Sequence, residues 1–260
     1  MDAEIYLDNN SFIHRLDPRT KITIFLLTFV AILLFEDPLW MLPITFLIFL
    51  QLAVSKSFKN LRRIRYILIV LTISSMILWN IFSKGVTPLF WFVHLESFEF
   101  AIARTMLMIL MISAGMILIS TTRNEELVLG MIRMGMPYRV GFAISTSLRL
   151  VPTIASTTMT ISQAQRSRGL DLDSGNLFER IRKFLPLLVP VFISTIRNTN
   201  IFGMALESKG FGAHEKRTNY LQLQMYWQDY AVLAFGFLFV AASVWLYFAG
   251  YGRIPGLTRF

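Results

Sequence analysis

The sequence contains no cysteine and little charge. Among its 260 residues, only 16% are Asp, Glu, Lys or Arg, and none is Cys. The lack of cysteine excludes disulfides, thiolate metal sites and a cysteine nucleophile. Hydrophobic residues make up 55% of the chain, which is too high for a soluble domain of this length. The composition therefore predicts an integral membrane protein.

Common enzyme motifs are also missing. No G-x-x-x-x-G-K-[ST] phosphate loop occurs, so the chain cannot be its own P-loop ATPase. Neither H-E-x-x-H nor G-x-S-x-G is present, and His14, His94 and His214 lie in separate regions. No predicted span holds Asp or Glu at its centre, as a proton- or sodium-coupled carrier usually does. We therefore expect no catalytic residue, no metal site and no cofactor in this chain.

Five apolar stretches are long enough to cross a bilayer as helices. They are residues 22–35, 38–54, 66–82, 100–120 and 230–249. The first spans only roughly 21 Å at 1.5 Å per residue, so we expect it to borrow turns from its flanks. Asp17 as N-cap followed by Pro18 at the first helical position would begin such a helix efficiently. These patterns predict an all-α membrane protein with about five transmembrane helices.

Basic residues set the predicted orientation. The loop at residues 55–65 holds five cations and no acid, which places it in the cytoplasm by the positive-inside rule. Two spans precede this loop, so the N-terminus is predicted to be cytoplasmic as well. The net charge of +9 comes from cations clustered beside the spans, where they meet anionic lipid head groups. We therefore expect the lipid bilayer, and no nucleic acid, as the partner of this charge.

A long basic segment separates the last two spans. We divide the chain into a four-helix transmembrane part at 1–120, a cytoplasmic-side region at 121–228, and a final transmembrane helix with its tail at 229–260. Within the middle region, residues 145–168 and 177–209 are long segments with few internal helix breakers. They predict two long helices on the cytoplasmic side.

The second long segment is apolar enough to suggest another crossing, which we reject. It contains Pro186, Pro190 and Arg197, and an arginine near a helix centre costs about 2.5–3.5 kcal/mol on insertion scales. Its apolar residues recur at helical spacing. They are Leu185, Leu188, Val189, Phe192, Ile193 and Ile196. The pattern predicts an amphipathic helix along the inner membrane face.

Both long segments end in a similar motif. The first motif, at residues 164–169, reads Ala-Gln-Arg-Ser-Arg-Gly, and the second, at 205–210, reads Ala-Leu-Glu-Ser-Lys-Gly. We call these the first tip and the second tip. The candidate site residues are Ala164, Ser167, Arg168 and Gly169 in the first tip and Ala205, Glu207, Ser208, Lys209 and Gly210 in the second. Either tip alone is explained by helix termination through a glycine and a favourable cation. As a pair, side by side on one face of the membrane, they suit a partner with two-fold symmetry.

The two tips resemble the paired Ala-Arg-Gly or Ala-Arg-Ser signatures of the transmembrane T component of energy-coupling-factor transporters, which are ABC importers for vitamins and metal ions. Ser-Gln-Ala-Gln at 162–165, Leu-Pro-Leu-Leu-Val-Pro at 185–190 and His-Arg-Leu-Asp-Pro-Arg-Thr-Lys at 14–21 add to the resemblance. Both tips depart from the family in having Ser at the first Ala position. The second also has Lys209 in place of the usual Arg, and lysine lacks the planar fork needed for bidentate hydrogen bonds.

The resemblance implies that the long helices are coupling helices, each docking its tip into one of two ABC ATPase subunits. A small substrate-binding membrane subunit would be a further partner, and ATP and Mg would bind to the ATPases. The chain would then be a non-catalytic subunit in a prokaryotic cell (inner) membrane, serving uptake of a vitamin or a transition-metal ion chosen by the separate binding subunit. Two alternatives stay open, a self-contained permease and a membrane enzyme acting on lipid.

Overall fold

A computed structural model describes residues 11–83, 88–90, 93–170, 176–213 and 223–252. The described residues form two compact units, one from those up to 137 together with 223–252, and the other from those between 138 and 213. The described part is helical apart from two short strands, which confirms the predicted all-α membrane class. The predicted boundaries at residues 121 and 229 stay predictions, because they divide the chain by side of the membrane.

Nine helices and one strand pair make up the described residues. In chain order they are α1 Pro18–Leu34, α2 Pro38–Ser55, α3 Phe58–Arg63, α4 Arg65–Phe82, β1 Pro88–Phe90, β2 Val93–His94, α5 Leu95–Thr121, α6 Asn124–Arg133, α7 Tyr138–Ser167, α8 Leu177–Ser208 and α9 Trp227–Phe248. The two strands pair antiparallel. Helices α7 and α8 form the second unit, and the other elements belong to the first.

Five of these helices are long and apolar enough to cross a membrane. They are α2, α4, α5, residues Arg182–Ser208 of α8, and α9. Four coincide with predicted spans, and the protein is thus a multi-pass membrane protein. Helix α1 has 17 residues and begins at Pro18, so it includes a flanking turn as expected. It is not one of these five helices, and its crossing of the membrane stays a prediction. The rejection of α8 as a crossing stays a prediction that rests on its prolines and on Arg197.

The core of the first unit lies where α1, α2 and α5 meet. Ile32 of α1, Met41 and Ile44 of α2 and Leu107 of α5 belong to one cluster of buried side chains. Helix α9 packs on α1, and α4 packs on α5. Helices α1, α2 and α5 therefore share one apolar core, and side chains of α9 pack against it.

A buried polar cluster fixes the beginning of α1. Asp17 caps the helix as predicted, because its Oδ1 accepts a hydrogen bond from the Arg19 N–H (2.9 Å). The Asp17 N–H donates to Oδ1 of the buried Asp229 in the first turn of α9 (2.8 Å). Asp229 also accepts from the Tyr226 N–H through Oδ2 (2.9 Å). One carboxylate thus joins the starts of α1 and α9.

Lys21 joins the same end of α1 to α5. Its ammonium group donates to the carbonyls of His14 (3.0 Å) and Thr121 (2.9 Å). Because Thr121 is the last residue of α5, the start of α1 lies beside the end of α5. This arrangement puts the starts of α1 and α9 and the end of α5 at one end of the helix bundle.

Candidate functional site

The second unit is an antiparallel pair of long helices. Near the end of α7, Nε2 of Gln165 donates to the carbonyl of Pro186 near the start of α8 (3.3 Å). At the other end of the pair, the ring of Phe211, just beyond α8, lies 4.3 Å from the ring of Phe142 near the start of α7. Contacts at both ends show that the two helices run in opposite directions alongside each other.

The two tips consequently lie at opposite ends of the pair. Phe142 and Gln165 mark those ends, and they are roughly 35 Å apart along α7 at 1.5 Å per residue. The expectation that the tips lie side by side is therefore wrong.

The first tip ends in a Schellman cap, a helix end closed by a residue in the left-handed conformation. The Leu170 N–H donates to the carbonyl of Gln165 (3.1 Å), and the Gly169 N–H donates to the carbonyl of Arg166 (3.0 Å). Gly169 has a φ of 89°, a value that glycine adopts without steric cost. The sequence prediction of a glycine-capped helix end is confirmed.

The second tip repeats these bonds residue for residue. The Phe211 N–H donates to the carbonyl of Leu206 (2.9 Å), and the Gly210 N–H donates to the carbonyl of Glu207 (2.9 Å). Gly210 has a φ of 72°. The two tips therefore share one backbone geometry, and Arg168 and Lys209 occupy the same position immediately before the glycine.

The cap alone does not make a site. Helix α6 ends in the same way, with the Met136 N–H donating to the carbonyl of Met131 (3.0 Å) and Gly135 at a φ of 118°. What the two tips share beyond the cap is an exposed cation. Arg168 and Lys209 are both exposed, and neither forms an ion pair with another described residue. Their charges are free to meet acceptors on a partner.

The tip serines have their hydroxyls turned back onto the helix. Ser167 Oγ donates to the carbonyl of Gln163 (3.1 Å), and Ser208 Oγ donates to the carbonyl of Ala205 (2.9 Å). Such bonds to the preceding turn satisfy the hydroxyl locally. The hydroxyl proton of each serine is therefore used within its own helix, and the oxygen lone pairs remain as acceptors for a partner.

Small and acidic residues complete the two surfaces. Ala164 and Ala205 are exposed one turn before the cations, where their small side chains permit close approach. Glu207 is exposed and makes no ion pair with a described residue. It is therefore available to a basic group on a partner.

Gln165 is a structural residue of the first tip that sequence reasoning did not single out. Pro190 has no N–H, so it cannot donate to the carbonyl of Pro186 four residues earlier. The Gln165 amide supplies that missing hydrogen bond from α7. The signal in the sequence was the spacing of Pro186 and Pro190, which exposes a carbonyl at a known position.

Helix α8 carries a large uncovered apolar face. The six residues predicted to form it are between 46% and 63% exposed. Leu187, Val191 and Ser194 are less exposed and recur on the opposite side of the helix. The helix thus has one side that is partly covered and another that is open to lipid or to a membrane partner.

Among the described residues, no group of three or more His, Asp or Glu side chains is placed to hold a metal ion.

Comparison with known proteins gives consistent matches over most of the chain. Residues 9–220, which include both tips, match the family described as CbiQ, cobalt transport protein. The energy-coupling factor transporter transmembrane protein EcfT of Lactococcus lactis subsp. cremoris is 31% identical over 241 residues, covering 86% of this chain and 88% of that protein. EcfT of Thermosediminibacter oceani is 31% identical over 252 residues, covering 91% and 94%. EcfT of Streptococcus thermophilus is 29% identical over 261 residues, covering 90% and 95%.

Proposed function

This chain belongs to the CbiQ family of cobalt transport proteins, together with the EcfT transmembrane proteins of energy-coupling factor transporters, and we propose that it is the non-catalytic coupling subunit of an ATP-driven importer. In this proposal it joins two ATPase subunits, which bind ATP and Mg, to a small membrane subunit that binds a vitamin or a transition-metal ion. The supporting observation is the pair of equally capped, exposed cationic tips at the two ends of the α7–α8 pair.

The spacing of the tips suits two separate ATPases. A separation of roughly 35 Å lets each tip dock in its own subunit, and the contacts at both ends of the pair carry motion from one tip to the other. Both tips face one aqueous compartment only when the helix pair lies along the membrane. We therefore place α7 and α8 at the cytoplasmic surface of a prokaryotic cell membrane, with the N-terminus also in the cytoplasm.

The chemistry of each tip follows from its helix end. The last carbonyls of a helix carry partial negative charge, and a cation at this position both offsets it and reaches acceptors on the partner. Arg168 can donate two parallel hydrogen bonds to a carboxylate, whereas Lys209 acts as a single point charge. The two ATPase contacts are therefore unequal in geometry although the backbones match.

The substrate-binding subunit is proposed to bind to the uncovered apolar face of α8. Its exposed residues include Leu188 and Phe192, at 61% and 63% exposure. A membrane subunit that covers this face would be moved whenever the ATPases tilt α8. The solute is then set by the bound subunit and not by this chain.

Reversing the charge of the first tip tests the ATPase contact. In the whole transporter, Arg168→Glu is expected to abolish uptake and to release ATPase from the purified complex, while membrane insertion stays normal. Arg133→Glu is the matched control, because Arg133 is an exposed cation in the last turn of α6, beside the same type of glycine cap. Normal uptake by Arg168→Glu, or uptake by this chain without any ATPase, contradicts the proposal.

A polar substitution on α8 separates the two partners. Phe192→Ser is expected to release the substrate-binding subunit while the ATPases still co-purify, because the face and the tips are different surfaces. Val151→Ser on α7, at an apolar residue that is 60% exposed, is the control and should retain both partners. Retention of the binding subunit by Phe192→Ser would show that another surface receives it.

A further inference from the structure

An apolar cavity of about 210 Å³ lies in the first unit, between α1, α2 and α5. Its wall includes Phe25 of α1, Leu50 of α2, and Ala114 and Ile117 of α5. Packed protein interiors contain few voids larger than a water molecule. An apolar cavity of about 150 Å³ stays dry and takes up hydrocarbon. A cavity of this size in a membrane protein is therefore suited to a hydrocarbon chain.

The cavity reaches the lipid-facing surface of α2. Leu50 and Val54 both line it, and they are 52% and 39% exposed. Its polar wall residues include Lys21 at the start of α1, Gln51 near the end of α2 and Thr121 at the end of α5. These three positions lie at one end of the bundle, where they add polar groups to a wall that is otherwise mostly apolar.

Exposed cations follow α2 at this end of the bundle. Two residues after Val54, Lys56 caps the end of α2, and the loop goes on through Lys59 with no acid. The five loop cations are all exposed, and they are Lys56, Lys59, Arg62, Arg63 and Arg65. Asn60 Nδ2 donates to Oγ of Ser120 (2.8 Å). This bond ties the loop to the end of α5, the helix that also lines the cavity.

We propose that this end of the bundle binds one anionic phospholipid, with an acyl chain in the cavity and its phosphate at Lys56 and Lys59. The apolar cavity can accommodate a hydrocarbon tail, and the cations near it attract a negatively charged head group. Neither feature belongs to the tips or to the apolar face of α8. The inference therefore stands apart from the proposed coupling function.

Native mass spectrometry of the purified full-length chain tests this site. After delipidation, the protein is offered phosphatidylglycerol or phosphatidylcholine with the same acyl chains. We expect one phosphatidylglycerol to stay bound, and Lys56→Gln with Lys59→Gln to weaken its retention by about tenfold or more, since each cation near an anionic surface contributes substantially. Ala114→Phe, which fills the cavity, should abolish retention.

Two controls separate charge and volume from general damage. Arg133→Gln with Arg139→Gln removes two exposed cations elsewhere, and Val30→Phe introduces the same phenyl ring at an exposed position of α1. Both control proteins should retain the lipid. Equal retention of phosphatidylcholine overturns the proposal, as does unchanged retention in the Lys56 and Lys59 variant. Displacement of the lipid by soluble glycerol phosphate would show that the cations bind a free phosphate instead, and would also overturn it.

Discussion

Single residues decide how the tips differ from ordinary helix ends. Gly135, Gly169 and Gly210 all close helices with positive φ, so glycine explains the stop in each case. Among these three helix ends, only those at Arg168 and Lys209 have an exposed cation without an ion-pair partner at the residue just before the glycine. The charge, and not the cap, is therefore what a partner would recognise.

The close approach of Gly252 to Phe35 can be tested by a single substitution. It has a φ of 82°, and an added Cβ would lie 2.3 Å from Cδ1 of Phe35. Its carbonyl accepts from the N–H groups of Glu36 (2.9 Å) and Asp37 (3.2 Å), which ties the end of α9 to the α1–α2 turn. Gly252→Ala is expected to lower the free energy of unfolding by at least about 1–3 kcal/mol, from backbone strain and overpacking together.

Thermal unfolding in detergent measures this effect, with Gly115→Ala as the control. Gly115 lies inside α5, and an added Cβ there meets no atom within 4 Å, so alanine should be neutral or stabilise by up to about 1 kcal/mol. Equal stability of the Gly252 and Gly115 variants would show that the contact with Phe35 relaxes freely.

At the scale of helices, local signals in the sequence predicted where a long helix ends, but not which other helix it packs against. The second long helix was predicted at 177–209 and runs Leu177–Ser208, because glycine fixes its end. The first was predicted from residue 145 and begins at Tyr138, since Gly141 in its first turn weakens the helical signal. The short helix α3 and the strand pair were not predicted, because elements of six residues or fewer carry little periodicity.

The link between Gln165 and Pro186 gives a prediction about the α7–α8 pair. Gln165→Ala removes the amide that donates to the Pro186 carbonyl, which Pro190 leaves without a helical donor. We expect this loss to weaken the packing of α7 on α8 by about 1 kcal/mol. In a Pro190→Ala background the new Ala N–H can satisfy that carbonyl, so the same substitution should cost less.

Hydrogen exchange of α7 and α8 amides in the unaltered protein and the three variants completes this cycle. Faster exchange in Gln165→Ala that is diminished in the double variant supports the link. Equal effects in both backgrounds would mean that the Gln165 amide and the Pro186 carbonyl are not coupled.

At the scale of the whole molecule, the arrangement of the helices depends on contacts between residues far apart in the sequence, which the sequence alone could not reveal. Asp17 and Asp229 are 212 positions apart, and no periodic pattern relates them. The spans were predictable because each is a local apolar run that the bilayer requires. The placement of the tips at opposite ends of an antiparallel pair follows from contacts that only the fold brings together.

The absence of cysteine makes the central claim directly measurable. Single Arg168→Cys and Lys209→Cys variants are expressed in cells and treated with a membrane-impermeant maleimide, in right-side-out and inside-out vesicles. If α7 and α8 lie along the cytoplasmic surface, both cysteines react in inside-out vesicles and neither reacts in right-side-out vesicles. Labelling of the two positions from opposite sides would make α8 a crossing helix and would contradict the account.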